Sequence, residues 1–317
     1  MIEYVAQAIR FTCFSLTFIL GTVGNGLVIW ITGFKMKKTM TTIWFLNLGI
    51  TDFSFCLILP LYITEWALWG NWPFGRIMCK ISNFSTALNL SASLLFLTTI
   101  SIDRCICILY PIWSRNHRTS RLAAIISAII WLVSMAAYSP LILLIDNIND
   151  SNFSECSLTN GAWENVTIID FETSLLRFQA MIITRFVFSF LIPLSIIVVC
   201  YGLIAFRVRK SSRIPGSTRT LKIIITTVLC FFFCWAPYFV LPIIYIAGHY
   251  KLSHHHFLLN ELAICLAFGN SCLNPIIYVF TGRDFKQILR KSIPFLLESP
   301  FNERNDPPEI PEENGIL

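Results

Sequence analysis

Seven apolar stretches, each long enough to cross a bilayer, follow one another along this chain and restrict its fold more than any other feature. They run Ile9–Phe34, Thr41–Trp66, Ile77–Tyr110, Leu122–Ile145, Phe178–Val208, Thr220–Gly248 and Phe257–Phe280. A spanning helix needs about 20 apolar residues to bridge a hydrocarbon core of roughly 30 Å. In lipid every backbone N–H and C=O must be paired within its own segment, so the expected fold class is an all-α membrane protein, a seven-transmembrane helix bundle. Composition agrees: 55% of the 317 residues are hydrophobic and 13% are charged, against roughly a quarter charged in soluble domains. No small-residue cleavage site follows the first run, so it reads as a span and not as a signal peptide.

The positive residues set an orientation. Lys35, Lys37 and Lys38 follow span one, and Arg115, Arg118 and Arg121 follow span three. Arg207, Arg209, Lys210, Arg213, Arg219 and Lys222 bracket the connection between spans five and six, and Arg283, Lys286, Arg290 and Lys291 follow span seven. All lie on one side of an odd number of crossings, while Glu3, Glu65, Asp146, Asp150, Glu155, Glu164, Asp170 and Glu172 lie on the other. The positive-inside rule then expects an extracellular N-terminus and a cytoplasmic C-terminus in the plasma membrane. The net charge of +6 is accounted for in this way and implies no nucleic-acid partner. Sequons at Asn149, Asn152 and Asn165 fall on the expected outer side, as glycosylation requires. Residues 1–8 read as a short outer tail and 9–282 as the bundle. Residues 283–297 read as an amphipathic helix on the inner leaflet, with Phe285, Ile288 and Leu289 on its apolar face. The acid- and proline-rich 298–317 reads as a disordered tail.

Several residues carry chemistry. Of eleven cysteines only Cys79 and Cys156 fall on the expected outer side, where an oxidising environment lets them pair. The alternative is two free thiols. Polar groups inside a membrane are functional candidates by default. Asp52 lies mid-span in two, Asn89 and Ser93 are four apart in three, and Asn270 and Asn274 are four apart in seven, each pair on one helix face. These oxygens suit a small cation; interhelical hydrogen bonds without an ion are the plainer reading. Pro193, Pro237 and Pro275 remove helix bonds and permit kinks. Trp235 stands two residues before Pro237, either as a pivot for the kink or as packing. Asp103-Arg104 closes span three. Arg185 sits among apolar residues in the outer half of span five. It faces a wet cavity and a ligand carboxylate, or it snorkels or pairs internally, with Glu65 or Glu261 as candidates.

Taken in order, these marks make the chain resemble the rhodopsin-like G-protein-coupled receptors over almost its whole length. They are Gly24-Asn25, Leu46-Asn47-Leu48 with Asp52, Trp72-Pro-Phe-Gly75 before Cys79, Asp103-Arg104-Cys105, Trp131, Tyr201, Cys234-Trp235-Ala236-Pro237 and Asn274-Pro275-Ile-Ile-Tyr278. The resemblance implies a sodium pocket of Asp52, Asn89, Ser93, Asn270 and Asn274, with the ion an allosteric modulator and no other cofactor. It also implies an activation pivot at Trp235, and a rearrangement of Arg104, Tyr201 and Tyr278 that admits the G protein. The segments Lys35–Leu48, Asp103-Arg-Cys-Ile-Cys, Pro111–Thr119 and Thr184-Arg-Phe look like those of chemerin and formyl-peptide receptors. That branch implies a peptide or small-protein chemoattractant, an inhibitory Gi-type G protein and arrestin as partners. Arg185, Thr86, Trp235 and Tyr238 would line the ligand pocket, with Glu65 and Glu261 at its rim.

Absences narrow the class. An amine receptor needs an acid where Thr86 stands, and an opsin needs a lysine in span seven, which has none. No nucleophile–base pair or metal cluster points to an enzyme. A non-signalling scavenger for the same ligands is the nearest alternative. A transporter is opposed by the odd span count and the lack of an inverted repeat.

Overall fold

The computed structural model describes residues 2–139, 142, 145–150, 153–158, 176, 179–210, 218–248 and 254–281. Seven helical stretches in it are long and apolar enough to cross a membrane. Helix α1 spans Ile2–Trp30 and closes in a wider turn over Ile31–Lys35. The second span is α2, Met40–Cys56, followed by α3, Leu59–Ala67. Helix α4, Gly75–Leu109, is the third, and the short α5, Pro111–His117, leads to α6, Ser120–Tyr138, the fourth. Strands β1, Ile145–Asp150, and β2, Phe153–Leu158, form an antiparallel hairpin. The fifth span, Gln179–Arg209, carries a wider turn at Val187–Leu191 and continues as α7, Ile192–Lys210. Helices α8, Thr218–Gly248, and α9, His254–Thr281, are the sixth and seventh.

Three boundaries differ from the sequence expectation, each for a local reason. Helix α1 starts at Ile2, so residues 2–8 are not a separate tail. Ala6 is buried, Gln7 Nε2 donates to the Trp66 carbonyl at 2.8 Å, and the Tyr4 ring meets Trp69 edge-on at 4.9 Å. The second span breaks at Leu57–Ile58 because Pro60, in the first turn of α3, has no N–H to continue the ladder. The fourth span ends at Tyr138 and Ile145 opens β1. Hydropathy alone ran through Ile142–Ile145 because an apolar strand and an apolar helix end read alike. The expected surface helix 283–297 and tail 298–317 lie outside the described residues.

Threonines set two helix starts. The Thr39 hydroxyl accepts from Thr42 N at 3.2 Å and the Thr42 hydroxyl accepts from Thr39 N at 2.8 Å, a reciprocal capping box for α2. The Thr119 hydroxyl accepts from Leu122 N at 3.1 Å and caps α6. At the fifth span, the wider turn just ahead of Pro193 accommodates one extra residue where the ring removes a hydrogen bond. It rotates the half that carries Arg185 relative to the half that carries Tyr201.

Large apolar side chains cover the outside: Phe233 is 72% exposed and Leu132 66%. Such a surface suits lipid and would aggregate in water. The inside holds apolar packing around Trp44, Phe96 and Leu90 with polar links between spans. Asn47 joins spans two and four: its Nδ2 donates to Ser127 Oγ at 3.2 Å and its Oδ1 accepts from Trp131 Nε1 at 2.9 Å. Asn25 Nδ2 ties α1 to α9 through the Ser271 carbonyl at 2.8 Å. Beside it Gly24 permits close approach, because a Cβ there would lie 2.9 Å from the Pro275 ring.

Candidate functional site

Cys79 and Cys156 form a disulfide across 77 residues. The bond fixes β2 to the start of α4, and the Trp72 segment reinforces it. Trp72 N donates to the Ser154 carbonyl at 2.7 Å, Asn71 Oδ1 accepts from Ser154 N at 3.0 Å, and Trp72 Nε1 donates to the Gly75 carbonyl at 2.9 Å. The Trp72-Pro-Phe-Gly75 mark therefore fixes the hairpin to this end of the bundle.

Asp52 is fully buried at mid-bundle. Asn89 Nδ2 donates to its Oδ1 at 3.1 Å and Asn274 Nδ2 to its Oδ2 at 2.7 Å, so one carboxylate joins spans two, three and seven. Ser93 Oγ instead lies 2.9 Å from Thr51 Oγ1. Asn270 is buried one turn before Asn274. The donor set is made of hard oxygens and amides, which fits a small cation.

Trp235 is buried within an aromatic cluster, its ring centroid 5.5 Å from Tyr238 and 6.0 Å from Phe231. Phe190 of span five joins the cluster through Phe232 and Phe239 at 5.5 and 5.3 Å. Among the described residues, the Trp235 indole N–H is buried without a hydrogen-bond partner. A bulky ring beside Pro237 and held by no polar bond is free to change rotamer if the kink flexes.

Arg185 and Tyr238 line a cavity of about 380 Å³ between spans five, six and seven, with Met181, Phe239 and Pro242 as apolar walls and Asn260 from α9. The Arg185 guanidinium lies 5.1 Å from the Tyr238 ring and 5.8 Å from Phe239, and among the described residues its Nε is buried without a hydrogen-bond partner. Among the described residues it pairs with no carboxylate, so the internal partners Glu65 and Glu261 are not used.

Glu261 is committed elsewhere. Arg10 Nη2 donates to its Oε1 at 2.6 Å, Arg10 Nε pairs with its Oε2, and Glu261 is 2% exposed. The Arg10 guanidinium also lies over the Trp66 ring at 3.7 Å. Thr86 is bonded to Tyr62 Oη at 3.1 Å and donates to the Ser82 carbonyl at 3.0 Å.

At the opposite end of α4, Asp103 is 8% exposed. Arg118, from the α5–α6 connection, grips it with two bonds, Nε to Oδ1 and Nη2 to Oδ2, both 2.9 Å. Arg104 Nη2 stands 3.4 Å from Asp103 Oδ2 and donates to the Thr41 hydroxyl of α2. Tyr201 Oη is buried nearby without a hydrogen-bond partner among the described residues, and Cys105 packs against Cys200 and Ile204 of α7. Tyr278 lies on α9, but its side chain is outside the described residues, as are Asn152 and Asn165; Asn149 lies on β1.

Residues 24–278 match the family described as 7 transmembrane receptor (rhodopsin family). The chain belongs to this family. Its relatives among known proteins include N-formyl peptide receptor 2 of Macaca mulatta, 37% identical over 312 residues that make up 96% of this chain and 88% of the relative. Human N-formyl peptide receptor 2 is 36% identical over the same shares, and human N-formyl peptide receptor 3 is 37% identical over 92% of this chain and 84% of its own. The protein is thus a multi-pass membrane receptor and not an enzyme.

The receptor's structure corrects parts of the expected site. Arg185, Tyr238 and Trp235 come together. Glu261 is withdrawn from the rim by Arg10 of span one, a residue with no motif to mark it in the sequence. Thr86, Glu65 and Trp235 are not among the described residues lining the Arg185 cavity; Glu65 is half-buried. Arg118, by sequence one of several positive residues after span three, is the main partner of Asp103.

Proposed function

We propose that this receptor binds a peptide or small-protein chemoattractant and passes the signal to an inhibitory Gi-type G protein, with arrestin as a further partner. The observation that carries it is Arg185, a cation in an apolar-walled cavity with a buried, unpartnered Nε and no acidic partner among the described residues. An arginine so placed calls for an anion from the ligand, and its planar fork suits a carboxylate. The names of the relatives support peptides as the ligand class. The disulfide end would face outward and the Asp103–Arg104 end the cytoplasm, in keeping with the positive residues around α5 and α7. Asn149, Asn152 and Asn165 would then be glycosylation sites, and Asp52 with its amide partners would take up sodium in the resting state.

A screen of attractant peptides, formylated and free-acid, for nucleotide exchange on purified Gi tests the proposal. Stimulated exchange by at least one peptide supports it. Saturable binding without exchange on any G protein would favour the scavenger reading.

A further inference from the structure

From the geometry around Asp103 we infer that Arg118 is a positioning residue that takes Asp103 as its own counter-ion and so keeps Arg104 only loosely restrained. Two guanidiniums compete for one carboxylate. Arg118 holds both oxygens at 2.9 Å, the bidentate form that is strongest for this pair. Arg104 is left with a single 3.4 Å approach, beyond the usual length of a charge-assisted bond.

What Arg104 has instead is the hydroxyl of Thr41, a neutral group on another helix. Arg118 Nη2 also reaches that hydroxyl, at 3.4 Å, so the two cations share both acceptors. Among the described residues, Arg104 Nε is buried without a hydrogen-bond partner. An underbonded buried cation beside a like charge is poised to leave, since any new acceptor relieves it. The restraint on Arg104 is therefore weaker than an Asp-Arg pair by itself would impose. Its strength is set by a residue in the connection after α5 and not by the span that carries Arg104.

This predicts opposite effects for two substitutions. Arg118→Ala returns Asp103 to Arg104, tightens the restraint and lowers basal nucleotide exchange by about two- to tenfold. Thr41→Val removes the neutral acceptor and raises basal exchange by a similar factor. The loss from Arg118→Ala must vanish in an Asp103→Asn background, where no carboxylate is left to hand over. A merely structural role for Arg118 would not give that dependence. Arg118→Lys, which keeps the charge without the fork, is expected between native and Arg118→Ala, and serves if the alanine variant does not fold.

The measurement is agonist-free nucleotide exchange on purified Gi with native receptor, the four single variants Arg118→Ala, Arg118→Lys, Thr41→Val and Asp103→Asn, and the Arg118→Ala/Asp103→Asn double variant, beside a cryo-electron-microscopy structure of Arg118→Ala. Its signalling arm rests on the Gi coupling proposed above. Should native receptor drive no exchange without agonist, the structural arm alone decides, and the Gi coupling is judged separately by peptide-stimulated exchange. Arg104 closing to two bonds on Asp103 supports the inference. Arg104 remaining on Thr41 in Arg118→Ala overturns it, as does unchanged or raised exchange in that variant, or an undiminished loss in the Asp103→Asn background.

Discussion

Arg10 and Glu261 stand 251 residues apart in the chain and are joined by a hydrogen bond of 2.6 Å from Nη2 to Oε1, with Glu261 only 2% exposed. The pair ties the first helix to the last. Breaking one side of such a pair leaves an uncompensated buried charge, which costs about 3–5 kcal/mol, whereas replacing both sides by apolar groups can be nearly neutral. Arg10→Ala should lower the thermal midpoint of the solubilised receptor, and Arg10→Met combined with Glu261→Leu should recover most of the loss. A double variant as unstable as Arg10→Ala would mean that the pair's role is not this charge balance.

The Cys79–Cys156 bond closes a loop of 77 residues. Loop-closure entropy alone gives about 4 kcal/mol for such a length, and inserted helices, already restrained, should reduce that. Cys79→Ala, Cys156→Ala and the double variant should lose stability and ligand binding equally, since each removes the same bond. Peptide mapping without reduction should recover the two cysteines in one linked species.

Asp52 presents a buried carboxylate to Asn89 and Asn274. A cation shifts a receptor between states only by its difference in affinity for them. Sodium should lower agonist affinity in the native receptor if it binds the resting state more tightly, and Asp52→Asn should abolish that dependence while keeping the hydrogen bonds that an amide can still accept. Titrating sodium against a potassium control at constant ionic strength reads the effect directly. A full sodium response in the variant would place the ion elsewhere.

Arg185 should read an anionic group of the ligand. Loss of one charge-assisted hydrogen bond is worth roughly 1.5–3 kcal/mol, so Arg185→Gln should weaken a free-acid peptide by about ten- to a hundredfold. If the group is the C-terminal carboxylate, amidating the peptide should hurt the native receptor and barely affect the variant. Equal losses from amidation in both would assign the carboxylate to another residue.

The sequence by itself determined the number of spans, their order, the disulfide and the family. Each of these follows from a one-dimensional signal: the length of apolar runs, the side on which a cysteine falls, or the spacing of Asp52, Asp103-Arg104 and Asn274-Pro275 along the spans. It also marked Asp52, Asn89 and Asn274 as partners, because polar residues in lipid have few other places to turn. Pairings between distant segments were decided only in three dimensions. Nothing in the chain says that Glu261 belongs to Arg10, that Ser93 turns to Thr51, or that Arg118 outcompetes Arg104 for Asp103. Each is settled by distances of a few ångströms between helices, and those depend on how every span is rotated and tilted. Rotation, in turn, rests on local events such as the break before Pro60 and the wider turn before Pro193. Hydropathy averages over a whole span and is blind to a turn gained or lost within it.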